Sequence, residues 1–276
     1  MKIAFKNPPV VNNFSDLHLL VEAGNEDISI IIFSKNPFSV AGYYSYNLNK
    51  HISPAEYAAA IKNILSQEEV FKQTFSSVHI FYNFTASTLV PTKYFIDEEN
   101  SKVCDVIFGQ DKAAVCFQEN VKGNDIKLIY RVPDKVYEAF NNIFPKNNFA
   151  HSTSEQINFV SNNTDTLQCI IYHASIKVLL VKEGKIHLVQ YFDYETPADV
   201  CYHLLNVCER FLIPAASIHL ILSGMVDKDS SLYTEVYKYF LHVSFSAAFA
   251  DVTISEDLLE LPQHFYNHLT ALAQCV

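Results

Sequence analysis

Two helix-start signals of the same kind, 143 positions apart, constrain this chain more than any other feature. Ser53-Pro54-Ala55-Glu56 and Thr196-Pro197-Ala198-Asp199 each put a hydroxyl at the N-cap, a proline at the first helical position and an acid at the third. The hydroxyl accepts from a free helix N–H, proline misses no donor there, and the acid faces the positive end of the helix dipole. Apolar residues follow both at helical spacing: Tyr57, Ile61, Ile64 and Leu65, then Val200, Leu204, Val207 and Cys208. Three strand-like runs precede each helix, Leu17 to Glu22, Ile28 to Ser34 and Ser39 to Asn47 in one case, Leu167 to Tyr172, Ile176 to Lys182 and Lys185 to Tyr194 in the other. A buried-looking strand follows each, Val78 to Phe84 and Ile218 to Leu222. Further on, Val136-Tyr137-x-x-Phe140 matches Val236-Tyr237-x-x-Phe240 at an offset of only 100, which places an insertion between about Leu89 and Val132. The insertion is expected to hold a short helix, Thr92 to Glu98, and a strand pair, Ala113 to Glu119 with Lys127 to Val132. The chain therefore reads as α/β with mixed sheets, a tandem duplication of one βββαβα unit: residues 14–164 with the insertion, then 165–276 ending in a helix.

Composition narrows the function. Six glycines are present and no two lie closer than 14 positions, which excludes G-x-G-x-x-G and G-x-x-x-x-G-K-[ST]. The net charge is −10 and no run of Lys and Arg is long enough to track phosphates, so nucleic acid is not expected as a partner. The start, Met1 to Pro9, reaches two prolines before any apolar stretch long enough for a signal peptide, and no later run approaches 18 apolar residues, so a cytoplasmic location without membrane insertion is expected. The six cysteines hold no C-x-x-C and read as reduced, buried hydrophobes. His264 and His268 share a helix face without an H-E-x-x-H pattern, and Asp227 and Asp229 lack the rest of a calcium loop, so no metal is assigned. The 21 Phe and 16 Tyr are harder to place. Tyr43, Tyr44 and Tyr46, then Tyr191, Phe192 and Tyr194, then Tyr233, Tyr237, Tyr239 and Phe240 cannot all point to one core under period 2 or 3.6. A tyrosine-rich surface for a protein partner or for self-association is expected.

Three antiparallel strands, a helix, a strand and a helix is the ribonuclease H-like order, and two in tandem resemble the actin-like ATPase architecture. The sequence also resembles a family of uncharacterised proteins from Bacteroidetes, domain of unknown function 3822. That resemblance is carried by Thr88-Leu89-Val90-Pro91, by Ser223-Gly224 ahead of Leu232 to Phe240, and by Leu261-Pro262 to Cys275. The actin-like resemblance implies ATP with Mg2+ between the halves, held at first-strand hairpins of the form Asp-x-Gly-[Thr/Ser]. Glu22-Ala23-Gly24-Asn25 matches in part, whereas Tyr172-His173-Ala174-Ser175 has neither carboxylate nor glycine. Ser223-Gly224-Met225 stands where an adenosine motif would end a strand. The resemblance thus implies Glu22, Gly24, Asn25, Ser175, Ser223 and Gly224 as cofactor-contacting positions and no catalytic residue. Because the second hairpin departs so far, the expectation is a non-enzymatic scaffold or adaptor, with a working ATPase as the alternative. A metal-dependent nuclease of this fold ranks below both, since only Glu22 among the needed acids is in place.

Overall fold

Both cap signals start helices in the computed structural model, which describes residues 1–11, 13–95, 100–160, 165–247, 252–255 and 258–276. Helix α1 (Pro54–Gln67) and helix α5 (Pro197–Arg210) each carry a complete capping box. Ser53 Oγ accepts from the Glu56 amide at 3.3 Å, and the Ser53 amide donates back to Glu56 Oε2 at 3.0 Å. Thr196 and Asp199 repeat the exchange at 3.3 and 2.8 Å.

The chain divides into two compact units, the first of Met1–Asn158, Asp251–Leu258 and Leu272–Val276, the second of Phe159–Ala250 and Leu259–Ala271. The first unit's sheet contains β1 (Lys2–Asn7), β2 (His18–Gly24), β3 (Asp27–Lys35), β4 (Phe38–Asn47), β5 (Ser77–Asn83) and β9 (Asn148–His151) in the order β1-β4-β3-β2-β5-β9. Strand β15 (Thr253–Ile254) adds to β4 in parallel. The second unit's sheet contains β10 (Thr166–Ile171), β11 (Ser175–Lys182), β12 (Lys185–Asp193), β13 (His219–Gly224) and β14 (His242–Phe245) in the order β12-β11-β10-β13-β14. Leaving β1 and β15 aside, the two orders are the same. In each, an antiparallel meander of three strands is followed by two strands joined in parallel. Even the irregularities agree: the register slips between Ile32 and Phe33 in β3 and between Leu180 and Val181 in β11.

Packing follows from strand parity. In the second unit Leu167, Cys169 and Ile171 of β10 and Ile176, Val178 and Leu180 of β11 share one core with Val200, Leu204, Val207 and Cys208 of α5. The intervening residues Ile170, Lys177, Leu179 and Val181 are buried as well, so these central strands are covered on both faces. Val136 and Phe140 of α3 (Asp134–Ile143) are buried, as are Val236 and Phe240, although α6 (Ser231–Val236) ends before Phe240.

Several expectations need correction. The first unit begins before residue 14, because β1 pairs antiparallel with Tyr43–Asn47 of β4. The segments Asp251–Leu258 and Leu272–Val276 group with that unit, β15 by pairing with β4. In the insertion, β7 (Ala114–Asn120) and β8 (Ile126–Pro133) pair as expected, but β6 (Ser87–Pro91) joins them in the order β6-β8-β7. The expected helix Thr92 to Glu98 is a short 3-10 turn at Thr92–Tyr94, and its remaining part lies outside the described residues beyond Phe95. Its residues Thr92, Lys93 and Tyr94 are exposed and offer no apolar stripe to pack. The helix here is instead α2 (Asn100–Phe108), and Cys104 on it is disulfide-bonded to Cys116 of β7, so these two cysteines are not free thiols. Cys169, Cys201 and Cys208 are free and buried.

Tyr43, Tyr44 and Tyr46 are all buried, which the period-2 argument did not allow for, because both faces of β4 are covered. The exposed tyrosines lie elsewhere, among them Tyr237 and Tyr239 just after α6 and Tyr202 on α5. No helix among the described residues is long and apolar enough to cross a membrane.

Candidate functional site

The β2–β3 hairpin turns at Asn25 and Glu26, and carboxylates surround it. Glu22, fully buried, lies opposite Ser29 of β3 and Phe81 of β5. Gly24 does not have positive φ; a Cβ on it would lie 2.5 Å from Asp27 Oδ1. Glycine is needed here because the Asp27 carboxyl folds back over it. Burial, with the charges of Glu22 and then Glu26 adding to it, pushes Asp27 up to about 8, so this carboxyl is largely protonated at neutral pH. The backbone of the turn is fastened from α1: the Tyr57 hydroxyl donates to the carbonyl of Gly24 at 2.8 Å, with that of Asp27 at 3.3 Å. Asn25 is engaged too, since its Nδ2 donates to Thr85 Oγ1 at 2.9 Å and its Oδ1 accepts from the Thr85 amide at 3.2 Å.

Beside this turn lies a cavity of about 260 Å3 in the first unit. Asn25, Glu26 and His51 form its polar side, and Tyr57, Phe84 and Val136 are the buried residues of its wall. The His51 amide donates to Glu26 Oε1 at 3.1 Å, fixing that carboxylate at the cavity.

The matching β10–β11 hairpin is built from aromatic groups. The Tyr172 amide donates to the Ser175 carbonyl at 2.9 Å, closing the turn. The Tyr172 carbonyl accepts from the Tyr194 hydroxyl at 2.9 Å, and its ring meets His268 edge-on with centroids 5.6 Å apart. Lys177 follows Ser175 on the same face of β11; it is fully buried, with Nζ 5.1 Å from the centre of the Tyr191 ring. Ser223 and Gly224 pair in parallel with Ile170 and Ile171. Gly224 has φ +81°, and a Cβ on it would run into the Ile171 carbonyl, which also accepts from the Met225 amide at 2.8 Å. This glycine lets two strand ends meet.

Glu22, Gly24 and Asn25 thus share one hairpin of the first unit, while Ser175, Ser223 and Gly224 gather at the C-terminal end of β10 in the second. A triphosphate with Mg2+ is a poor match to either turn. At the first, the space over Gly24 is filled by the Asp27 carboxyl; the second turn has neither carboxylate nor glycine, and its Tyr172 ring packs edge-on against His268. Among the described residues no group of three His, Cys, Asp or Glu side chains is arranged to hold a metal. His264 bonds through Nε2 to the Val226 carbonyl at 2.6 Å and stacks on Phe245. Asp27, Glu26 and Tyr57 are the residues that motif matching passed over. Three acids among Glu22 to Asp27 were the readable signal for two of them; Tyr57 looked only like part of a helix's apolar face.

The family model "Protein of unknown function (DUF3822)" matches residues 10–243. The chain belongs to this family. Among solved structures it resembles a Bacteroides thetaiotaomicron protein with actin-like ATPase fold and unknown function, at 17% identity and a TM-score of 0.78, over 96% of this chain and 100% of that one. It is also similar to a chain of a PilM–PilN type IV pilus biogenesis complex, at 12% identity and a TM-score of 0.63, over 94% and 98%. The ethanolamine utilization protein EutJ from Carboxydothermus hydrogenoformans matches at 8% identity and a TM-score of 0.52, over 97% and 91%. No curated protein sequence matches. At these identities the likenesses establish the fold, which is that of the actin-like ATPases.

Proposed function

We propose that this DUF3822 protein is a non-enzymatic adaptor of the actin-like fold, acting in the cytoplasm by holding a protein partner rather than by hydrolysing ATP. The observation that carries this reading is the Asp27 carboxyl packed over Gly24, in the hairpin where a phosphate would need space and donors. The second hairpin, besides, has Tyr172 in place of the carboxylate and Ala174 in place of the glycine. The PilM–PilN complex supports the adaptor side, being an assembly of two different proteins in which a chain of this fold takes part. Exposed Tyr237 and Tyr239 offer a further surface for association.

The competing reading, a working ATPase, draws on the Glu22-Ala23-Gly24-Asn25 match and would use Ser175, Ser223 and Gly224 on the other side of the nucleotide. Calorimetric titration of the intact protein with ATP and Mg2+ separates the two. The adaptor reading expects no saturable heat; micromolar binding that Asn25→Ala abolishes would replace it with the ATPase.

A further inference from the structure

We propose that a hollow of the second unit, between α6 and the starts of β13 and β14, binds a small organic anion that carries a flat ring, with a phosphate monoester of an aromatic alcohol as the form that uses every group there. This goes beyond the adaptor reading and does not depend on it.

The hollow has a volume of about 550 Å3, within the roughly 300–1,000 Å3 usual for small-molecule sites. Its walls present surface rather than interior: His219, Lys228, Tyr237 and His242 are exposed, and Tyr233 is half-buried.

The donors select an anion. His219 and His242, the first residues of β13 and β14, are register partners on neighbouring parallel strands, so both rings stand on one face of the sheet. His219 is steadied through Nε2, 2.7 Å from Ser244 Oγ. Lys228 makes no ion pair among the described residues; Asp227 and Asp229, its neighbours in sequence, neither pair with it nor line the hollow. Glu235, the acid of α6, is taken up by Lys238. The wall thus holds an ammonium, two imidazoles and two phenol hydroxyls, all able to donate, and no carboxylate, on a chain whose net charge is −10. An acceptor-rich anion gains charge-assisted hydrogen bonds there, and a cation gains none.

The tyrosines select a ring. Tyr237 stacks on Tyr233 with centroids 5.8 Å apart and planes 22° apart, Tyr233 stacks on Phe245 at 5.4 Å, and Phe245 on His264 at 4.0 Å. The row is anchored at one end by the His264 bond to the Val226 carbonyl and finishes at Tyr237, which is 54% exposed. Rings already held in place lose little freedom when one more flat group lies against them.

The test titrates the intact, isotope-labelled protein by NMR with phenyl phosphate, inorganic phosphate and benzylamine, the last a flat ring of opposite charge. Phenyl phosphate is expected to shift the amides of His219, His242 and Val243 with a Kd on the order of 1 mM, roughly tenfold tighter than inorganic phosphate, while benzylamine leaves them in place. Lys228→Gln should weaken phenyl phosphate roughly tenfold, and Tyr237→Ala should bring it down to the level of inorganic phosphate. On the unaltered protein, raising the salt to about 0.5 M should weaken phenyl phosphate, a readout free of any effect of substitution on folding. Benzylamine binding as tightly as phenyl phosphate, equal affinity for phenyl phosphate and inorganic phosphate, binding of neither, or shifts confined to residues away from the hollow would overturn the proposal. Lys228 and Asn25 lie in different units, so failure here leaves the outcome of the ATP titration untouched.

Discussion

The two first-strand hairpins occupy the same place in the same strand order and have been filled by opposite chemistry. The β2–β3 turn is made of acids, with Asp27 folded over Gly24 and Tyr57 fastening the backbone from α1. The β10–β11 turn is made of rings, with Tyr172 bonded to Tyr194 and set against His268. The fold fixes where a hairpin sits, whereas the side chains decide whether its concave side stays open to a ligand. The glycines associated with the two units differ in the same way. Gly224 is required by its backbone, through positive φ and contact with Ile171; Gly24 is required by a neighbouring side chain.

That distinction can be broken by substitution. Gly224→Ala has the largest expected effect, a loss of about 4 kcal/mol, from left-handed backbone strain and collision with the Ile171 carbonyl together, read by denaturant unfolding. Asp27→Asn comes next and depends on pH. The raised pKa means the native state keeps a proton that the unfolded chain releases, so Asp27 costs nothing at low pH, and its cost grows from about pH 4 until it is complete near pH 8. Glu119 acts with the same sign: burial outweighs the hydrogen bonds from Ser154 and the His151 amide and pushes it up to about 7. Asp27→Asn should therefore match the parent near pH 4 and exceed it by a few kcal/mol above pH 8.

Gly24→Ala should cost about 2 kcal/mol, and most of that should vanish when Asp27 is also made Ala, since the clash is with its carboxyl. An undiminished cost in the double variant would show that the Gly24 backbone is itself constraining and would erase the difference from Gly224. Smallest is Tyr194→Phe, about 1 kcal/mol for the hydroxyl bond to the Tyr172 carbonyl.

Much of the architecture was legible because its signals are local. Ser53 with Glu56 and Thr196 with Asp199 marked both helices, and continuous apolar runs such as Ile30 to Phe33 marked the central strands. Strands β9 and β14, four residues each, carry too little periodicity to stand out from their surroundings. Strand β1 was missed because only pairing with the distant Tyr43–Asn47 segment makes it a strand. The candidate site was readable as a position but not as a surface. Glu22, Gly24 and Asn25 could be placed on a hairpin by motif, yet that Asp27 covers Gly24, or that Tyr57 reaches across from α1, depends on contacts between residues up to 33 positions apart. For β4 the tyrosine expectation failed for a related reason, since period 2 says that Tyr43 and Tyr44 face opposite sides but not that both sides are buried; Tyr237 and Tyr239, named in the same expectation, are exposed.

Helix α2 in the insertion has more than one fastening. Besides the Cys104–Cys116 link to β7, buried Arg131 of β8 reaches the Asp105 carboxylate and the Gly109 carbonyl, both at 2.5 Å. Severing the sulfur bridge with a reductant would leave a guanidinium clamp across the same junction. Thiol chemistry would then tune how firmly this helix is seated, while its attachment would persist in a reducing or an oxidising compartment alike.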